Sequence, residues 1–499
     1  ELSKKRFVHD TLKRVQLLHS ISELFALPQS LLDRVGRIKE PLDLLLRSDA
    51  KILGLDLYAF ARHDGIVRLE HKVEYLEVLS EEQSGGIHIT ISRASNANYV
   101  DFILQQILST SSSKLKGELD IGLVDEPGVG AGVVREFFQI IQHTFFSPQP
   151  LNIETMAASA ATTEAPPAHV SDIGSQWLQL ARNSPFHVTG SEKKAKRANV
   201  HAGGDVLRFF PIFQHVDDTN RRLRITPRKL RVAAAVADQK QQDKSLHLTL
   251  QDLLVNDHET TALKQLYLCA GRLLGLAIRD QQPLDAFFPL AFWKFMTFEK
   301  VSWEDYCEGN DVFKRSLQFV LGHDFEAEPL DMRFEFTAEV EVVSSNQEAP
   351  PSTVAMEVEL AGTTTSGAVV TNANKALYVE LRAKQCFFGN EFEYYKRMRD
   401  GLGDAVRKVD LKLFLPSELQ RVVHGDREID VDGLKKSVIY SRGITEAHEV
   451  VRHFWEVVET FDQPMKEKLL TFWSGSALPP LFGFHSHNRM NPVSPPLPP

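Results

Sequence analysis

The first part of the chain carries apolar residues at three- and four-residue steps. Leu12, Val15, Leu18 and Ile21 illustrate the spacing, which continues over residues 2–79. Residues three and four apart lie on one face of a helix, so the pattern predicts amphipathic helices. We therefore expect residues 1–85 to form a helical N-terminal extension.

The pattern then changes to a mixture of strands and helices. The segment IHITIS at residues 87–92 alternates apolar and polar side chains, as a half-buried strand does. Residues 100–108 return to a helical spacing, and residues 119–124 have the pattern of a second strand. The sequence therefore predicts a mixed α and β fold after the helical extension.

Two stretches interrupt this periodicity with Ala, Ser, Thr, Pro and Gly. They are residues 155–169 and residues 343–374. Such composition buries little apolar surface and is typical of loops. We predict a low-complexity insertion in each case, the second of which keeps a short strand at residues 354–360.

A glycine-rich stretch, DEPGVGAGVVREFFQII, lies at residues 125–141 between a predicted strand and a predicted helix. Dinucleotide-binding loops have this placement, with a GxGxxG spacing and a phosphate at the helix N-terminus. Here the spacing is GxGxG, no Lys-Ser/Thr pair follows, and Asp125 and Glu126 would repel phosphate. A tight turn into a buried helix is the better interpretation, and nucleotide binding is the weaker one.

Composition sets the broad class of the protein. The 499 residues are 43% hydrophobic and 25% charged, enough for two or more domains with cores. The net charge of -9 offers no overall attraction for nucleic acid or for an acidic membrane surface, so neither is expected as a partner. Three widely spaced cysteines favour a reducing, cytoplasmic location. KKAKR at residues 193–197 resembles a nuclear-import signal, with a solvated charge run as the default interpretation.

Two motifs resemble those of one protein family. GVGAGVVREFF at residues 128–138 resembles the glycine-rich turn of the HECT ubiquitin ligases, which leads into a helix that starts Arg/Lys-Glu-aromatic-Phe. The segment LCAGRLLGLAIRDQQPLDAFFPLAFWK at residues 268–294 is similar to the family's Gly-Arg-x-x-Gly-Leu-Ala helix, polar turn and Leu-Asp-x-x-Phe helix. Because the two occur in the family's order, the chain is identified as a member of the HECT family.

Further motifs extend the resemblance over residues 86–484. They are SWEDYCEGNDVFKRSLQFVL at 302–321, NKALYVELR at 374–382, FLPSELQRVVHGDREIDVDGLKKSVIY at 414–440 and LLTFWSGSALPPLFGF at 469–484. The chain departs from the usual pattern in its shorter glycine-rich turn, GVGAGVV. That form resembles a plant and green-algal branch of the family.

The resemblance implies an α+β, bilobal HECT fold. A large, mostly helical N-lobe would span residues 86–424, and a small, incomplete α/β C-lobe would span residues 429–484. Glycine and charged residues suit a mobile hinge between the lobes, which we place at Gly425, Asp426, Arg427 and Glu428. Residues 485–499 would form a Pro-rich, disordered tail.

HECT ligases receive ubiquitin from a conjugating enzyme that docks in an apolar groove. By resemblance, this groove lies around the Ser-Leu helix and the strand MRFEF at residues 332–336. Such docking sites are anchored by a few aromatic and aliphatic side chains. The positions that match are Leu317, Val320, Leu321, Phe334 and Phe336. A place in the core is the alternative for each of the five.

The family carries ubiquitin on a cysteine before passing it to a substrate lysine. A thiolate suits this relay because it is a strong nucleophile and its thioester stays reactive towards amines. By resemblance, the acceptor cysteine lies in a His/Thr-Cys-Phe segment after LPPLFGF, but no cysteine follows Phe484. We expect a C-terminally truncated, inactive copy of a ubiquitin ligase with no catalytic residue present. A non-catalytic scaffold or decoy that binds a conjugating enzyme is the alternative.

The three cysteines of the chain lie outside the family's catalytic motif. Cys269 falls in an apolar helix and is expected to be buried, while Cys307 and Cys386 fall in the predicted N-lobe without an adjacent histidine. His485 and His487 have no third ligand nearby in sequence, so no metal and no other cofactor is expected. The expected partners are a ubiquitin-conjugating enzyme, ubiquitin and protein substrates whose identity the sequence does not reveal.

Overall fold

The computed structural model of the chain describes these residues: 42–43, 46–47, 49–55, 67–83, 85–91, 99–123, 130–146, 151–154, 206–209, 213–216, 222–227, 230–242, 247–249, 253, 257–343, 352–425, 428–440, 444–474 and 476–484. The predicted helices before residue 42, the predicted insertion at 155–169 and the predicted tail at 485–499 lie outside them.

Helices and strands alternate along the described residues. The helices are α1 Ile52–Leu55, α2 Leu69–Glu81, α3 Tyr99–Ser109, α4 Ser112–Leu115, α5 Ala131–Phe145, α6 Ala234–Gln242, α7 Asp257–Arg279, α8 Leu290–Met296, α9 Trp303–Tyr306, α10 Asp311–Gly322, α11 Lys375–Phe388, α12 Phe392–Ala405, α13 Lys408–Leu411, α14 Pro416–His424, α15 Val431–Ser437, α16 Glu449–Glu459 and α17 Gln463–Ser474. The strands are β1 Ile87–Ile91, β2 Leu119–Leu123, β3 Leu151–Glu154, β4 Val206–Phe209, β5 Phe213–His215, β6 Leu223–Ile225, β7 Leu230–Ala233, β8 Glu335–Val343 and β9 Ser352–Glu359.

The chain divides into two compact units. Unit 1 is drawn from Glu1–Arg224, Leu268–Phe288 and Met398–Pro499, and unit 2 from Ile225–Tyr267 and Pro289–Arg397. Each unit is assembled from separated stretches of sequence, and helices α7 and α12 contribute residues to both. The lobe division that the sequence predicts at residues 425–428 differs from this boundary and stays a prediction.

Unit 1 contains a parallel pair of strands joined by helices. Strand β1 pairs with β2 in parallel, with Ile87 opposite Leu119. Parallel strands need a crossover connection, which α3 and α4 provide. The alternating residues Ile87, Ile89 and Ile91 are buried, as the sequence pattern requires. The predicted strand at 87–92, helix at 100–108 and strand at 119–124 are confirmed to within one or two residues at each end.

Glycines allow two helices of unit 1 to touch along their backbones. A Cβ atom at Gly271 of α7 would lie 2.0 Å from the carbonyl oxygen of Met398, and one at Gly401 of α12 would lie 2.1 Å from that of Leu268. Arg272 fixes the same contact, because its Nε donates to Asp404 Oδ2 at 2.8 Å. The GRLLG motif is therefore a helix-packing feature in this protein.

Helix α2 packs on the C-terminal part of unit 1 through buried polar side chains. Lys72, whose side chain is 1% exposed, forms an ion pair with Glu418 of α14 at 2.6 Å. Tyr75 donates a hydrogen bond to Asp410 Oδ1 at 3.3 Å. Burial, with the nearby Asp410 carboxylate as the second cause, raises the pKa of Tyr75 to about 12. The last part of the predicted helical extension is thus bonded to residues 410–418.

Residues 429–484 of unit 1 form their own small core. The buried side chains are Ile429, Leu434, Trp455, Val458 and Leu470. The indole of Trp455 donates to the hydroxyl of Tyr440 at 2.8 Å. Other apolar side chains of this region are exposed, namely Ile439, Ile444, Val450, Phe454, Val457, Met465 and Phe472.

Unit 2 contains a three-stranded sheet in the order β7-β8-β9. Strand β7 is parallel to β8, and β9 is antiparallel to β8 with Phe336 opposite Val358. Alternate residues Ala338, Val340, Met356 and Val358 face a core shared with Leu230 and Val232. All three strands thus contribute side chains to one core.

Within the predicted insertion at residues 343–374, residues 352–374 have more regular structure than a low-complexity loop. The strand expected at 354–360 is present, but it spans Ser352–Glu359 and belongs to the sheet. Residues 361–374 pack within unit 2, where Val370 is buried and its N–H donates to Met332 O at 2.8 Å. Composition misled here because Ser, Thr and Gly are equally at home in an edge strand and in tight turns.

Candidate functional site

Helix α10 of unit 2 carries the positions that the sequence predicts for docking. It begins after Asn310, whose side-chain oxygen accepts a hydrogen bond from Phe313 N at 3.1 Å. Such N-caps satisfy one of the orphan amides of a helix and fix where it starts. The adjacent short helix α9 has a reciprocal cap between Ser302 and Asp305. Side-chain caps therefore fix the first residues of both α9 and α10.

The inner face of α10 belongs to the core of unit 2. Leu317 is 3% exposed and Val320 is 6% exposed, and both pack in a cluster with Phe334. Leu321 and Phe336 are partly buried against the same cluster. The structure thus brings all five predicted docking residues together, with three of them in the core position that the sequence left open as the alternative. Their role in docking stays a prediction.

The outer face of α10 presents apolar side chains that sequence reasoning missed. Val312 is 69% exposed and Phe319 is 60% exposed, and their spacing of seven residues places them on one side of the helix. The Phe319 ring lies 5.3 Å from that of His323, which in turn meets Phe325 edge-on at 4.7 Å. Phe319 is therefore an exposed aromatic side chain supported at its base.

His323, which follows the last residue of α10, is itself held by two hydrogen bonds. Its Nε2 donates to the carbonyl of Glu328 at 2.9 Å, and its own carbonyl accepts from Lys375 Nζ at 2.7 Å. Lys375 is the first residue of α11, so α10 and α11 are joined at this point. A helix held at both ends and along its inner face offers a rigid surface, and rigidity lowers the entropy cost of binding a partner.

The predicted hinge begins at a glycine with a left-handed backbone. Gly425 has φ of 72° and ends α14, its N–H donating to Arg421 O at 2.9 Å. A Cβ atom here would lie 2.9 Å from Cβ of Pro283, so only glycine fits. Asp426 and Arg427 lie outside the described residues, and Glu428 is exposed. The hinge function stays a prediction.

Two of the three cysteines are buried. Cys269 is fully enclosed in α7, and burial raises the pKa of its thiol far above the ordinary value. Burial is also the main cause that raises the pKa of Cys307 to about 11. Cys386 is exposed on α11. Since the thiolate is the nucleophilic form, Cys269 and Cys307 are poor nucleophiles near neutral pH.

No group of three or more His, Cys, Asp or Glu side chains within the described ranges is arranged to hold a metal ion. Among the described helices, none combines the length and apolarity needed to cross a bilayer.

Comparison with known sequences gives the family of this chain. A sequence model of the HECT-domain (ubiquitin-transferase) family matches residues 226–494, more than half of the chain. The chain belongs to this family. The match includes α10 and all five predicted docking residues, while the resemblance over residues 86–225 stays a prediction.

Curated relatives agree with this family. Similarity to E3 ubiquitin-protein ligase RSP5 of Chaetomium thermophilum reaches 34% identity over 215 residues, or 43% of this chain and 24% of that protein. Probable E3 ubiquitin-protein ligase hulA of Neosartorya fischeri is 31% identical over 221 residues, again 43% of this chain and 24% of that protein. The chain thus spans about a quarter of the length of these relatives.

Proposed function

We propose that this chain is part of a HECT-type E3 ubiquitin ligase and binds a ubiquitin-conjugating enzyme through unit 2. In such a ligase, ubiquitin passes from the conjugating enzyme to a ligase cysteine as a thioester and then to a substrate lysine. The observation that carries the proposal is the exposed, supported Phe319 on α10, the helix for which the resemblance predicts docking. A cytoplasmic location, with import into the nucleus as the second candidate, belongs to the same proposal.

The docking surface we propose is the outer face of α10, centred on Val312 and Phe319, which supply exposed apolar area. Leu321 and Phe336 are partly buried against the core cluster, and their part in docking stays a prediction. Leu317, Val320 and Phe334 would act indirectly, because they hold α10 in place from within the core. Aromatic anchors with a supported base are the usual energetic centres of protein interfaces.

Replacing Phe319 with alanine tests this surface. Phe319→Ala should weaken binding of a conjugating enzyme by about tenfold or more, because an anchor of this kind is worth about 1–2 kcal/mol. Binding is measured by calorimetry against a panel of conjugating enzymes. The side chain is exposed, so the thermal unfolding midpoint should stay within about a degree of the parent value.

Phe472→Ala is the matched control, because Phe472 is also an exposed phenylalanine and lies on α17 of unit 1. It should leave the affinity unchanged. Equal losses in the two variants would show that exposed apolar area in general, and not the α10 surface, governs binding.

The second part of the proposal concerns the cysteines. We propose that none of Cys269, Cys307 and Cys386 accepts ubiquitin, since two are buried and the third lies on a surface helix outside the family's catalytic motif. A chain of these 499 residues would then act without a thioester, as a binding scaffold or decoy. The parent ligase and the scaffold share the docking surface and differ in this step.

The thioester step is tested by incubating the chain with a ubiquitin-charged conjugating enzyme and separating the products without reductant. We expect no reducible ubiquitin adduct of the chain, whereas a complete HECT ligase in the same assay should form one. An adduct that disappears in Cys386→Ser would show that Cys386 is an acceptor and would end this part of the proposal.

A further inference from the structure

Two of the cysteines belong to one region of unit 2. Cys307 ends helix α9 and is 1% exposed, within the core cluster that also contains Val379 and Ala383 of α11. Cys386 follows these two residues on α11 by seven and three positions, which places it on the same side of that helix. Cys307 and the side of α11 that carries Cys386 therefore belong to one core cluster.

The neighbouring aromatic rings show the same approach of α9 to α11. Tyr306 precedes Cys307 and Phe387 follows Cys386, and their ring centroids lie 5.4 Å apart. Tyr306 also meets Phe388 at 5.5 Å. Cys386 is also the second cause, after burial, of the raised pKa of Cys307. The ring contacts thus bring α9, with Cys307 at its end, to the stretch of α11 that carries Cys386.

We propose that Cys307 and Cys386 are an oxidisable pair that forms an intramolecular disulfide when the chain meets a peroxide. Cys386 reacts first because it is exposed, and Cys307, at the end of the neighbouring helix α9, then resolves the product. An accessible thiol near a second, resolving cysteine is one feature of oxidation-sensitive sites. The site is independent of the proposed ubiquitin function.

The chemistry balances with hydrogen peroxide as the oxidant. The Cys386 thiolate attacks one peroxide oxygen, the O–O bond breaks, hydroxide leaves and the sulfur becomes a sulfenic acid. The Cys307 thiolate then attacks that sulfur, the S–S bond forms, the S–O bond breaks and a second hydroxide leaves. The two hydroxides take up the two thiol protons. Two thiols and one peroxide thus give one disulfide and two waters.

The second step should depend strongly on pH. The pKa of Cys307 is raised to about 11, so its thiolate is scarce at neutral pH and increases about tenfold per pH unit below that value. We expect the sulfenic acid on Cys386 to persist at pH 7, where a dimedone-type reagent traps it. At pH 9 the disulfide should form faster and the trapped fraction should fall.

The disulfide would join α9 to α11, which both pack against the core beneath α10. It would close a loop that contains α10, β8 and β9. A cross-link over so long a loop restricts the unfolded chain and should raise the thermal midpoint of unit 2.

Peptide mapping of the full chain tests the proposal. The native protein is diluted to prevent contact between copies, treated with hydrogen peroxide, blocked with an alkylating reagent and digested without reductant. We expect one reducible cross-link, between the peptides of Cys307 and Cys386, with Cys269 recovered as an alkylated thiol. The same treatment in denaturant should give all three pairings, because the fold no longer selects one.

Cys386→Ser is the matched variant, since the residue is exposed and its replacement should not disturb folding. Peroxide should leave Cys307 of this variant as a thiol. The thermal unfolding midpoint of the variant should not rise. Recovery of Cys386 in the native parent chain only as sulfinic or sulfonic acid would overturn the proposal, as would cross-linking only between two chains.

Discussion

Gly401→Ala is expected to lower the free energy of unfolding of this protein by about 3 kcal/mol. The added Cβ would lie 2.1 Å from the carbonyl oxygen of Leu268 and 2.9 Å from the amide nitrogen of Arg272, and both are backbone atoms of α7. Backbone cannot move aside as a flexible side chain can, so the two helices must separate. Separation would also strain the pair of Arg272 with Asp404. Chemical denaturation followed by circular dichroism gives the change.

Gly403→Ala is the control for this prediction. Gly403 lies two residues further along the same helix, and a Cβ atom there meets nothing within 4 Å. Alanine favours helix over glycine by about 1 kcal/mol, so this variant should be as stable as the parent chain or slightly more so. Equal destabilisation by the two substitutions would mean that α7 and α12 do not meet at Gly401.

Lys72→Met is expected to lower the free energy of unfolding by about 2–3 kcal/mol. The Lys72 side chain is 1% exposed and Glu418 is 18% exposed, so removing the ammonium leaves a largely buried carboxylate without its cation. Glu418 also accepts a hydrogen bond from Leu415 N at 2.7 Å, where α14 begins. The change should therefore loosen the start of α14 as well as the contact with α2. Denaturation measures the loss, and amide exchange locates it.

The ion pair of Lys51 with Glu82 is the control, because its side chains are 44% and 47% exposed. Lys51→Met should leave stability nearly unchanged, since water screens exposed charges. A loss from Lys72→Met no larger than that from Lys51→Met would show that Lys72 is solvated, and that α2 is not bonded to α14 in solution.

Local pattern was enough to predict the elements of unit 1 with clear periodicity. The alternation in IHITI and the helical spacing of residues 100–108 each report one buried face, and each element formed near the predicted bounds. Contacts between residues far apart in the sequence could not be predicted from local pattern. Lysine is among the residues least often buried, so nothing in the local sequence marks Lys72 as the partner of Glu418, 346 positions away.

The sequence predicted which helix carries the candidate site, but not which of its side chains are exposed. Resemblance located α10 and selected Leu317 and Val320, which the structure places in the core. A helix with apolar residues on both sides does not reveal from sequence which side a neighbour covers. The seven-residue spacing of Val312 and Phe319 indicates a second apolar side of α10. That side could be identified as the exposed one only once the core around Leu317 was known.

Hydrogen exchange of the chain with and without a saturating conjugating enzyme tests the central claim most directly, because it locates docking without any substitution. The account predicts slower exchange in α10, Asp311–Gly322, and at the start of β8, with no change in α17, Gln463–Ser474. Slowed exchange confined to unit 1, or no binding by any conjugating enzyme of the panel, would contradict it.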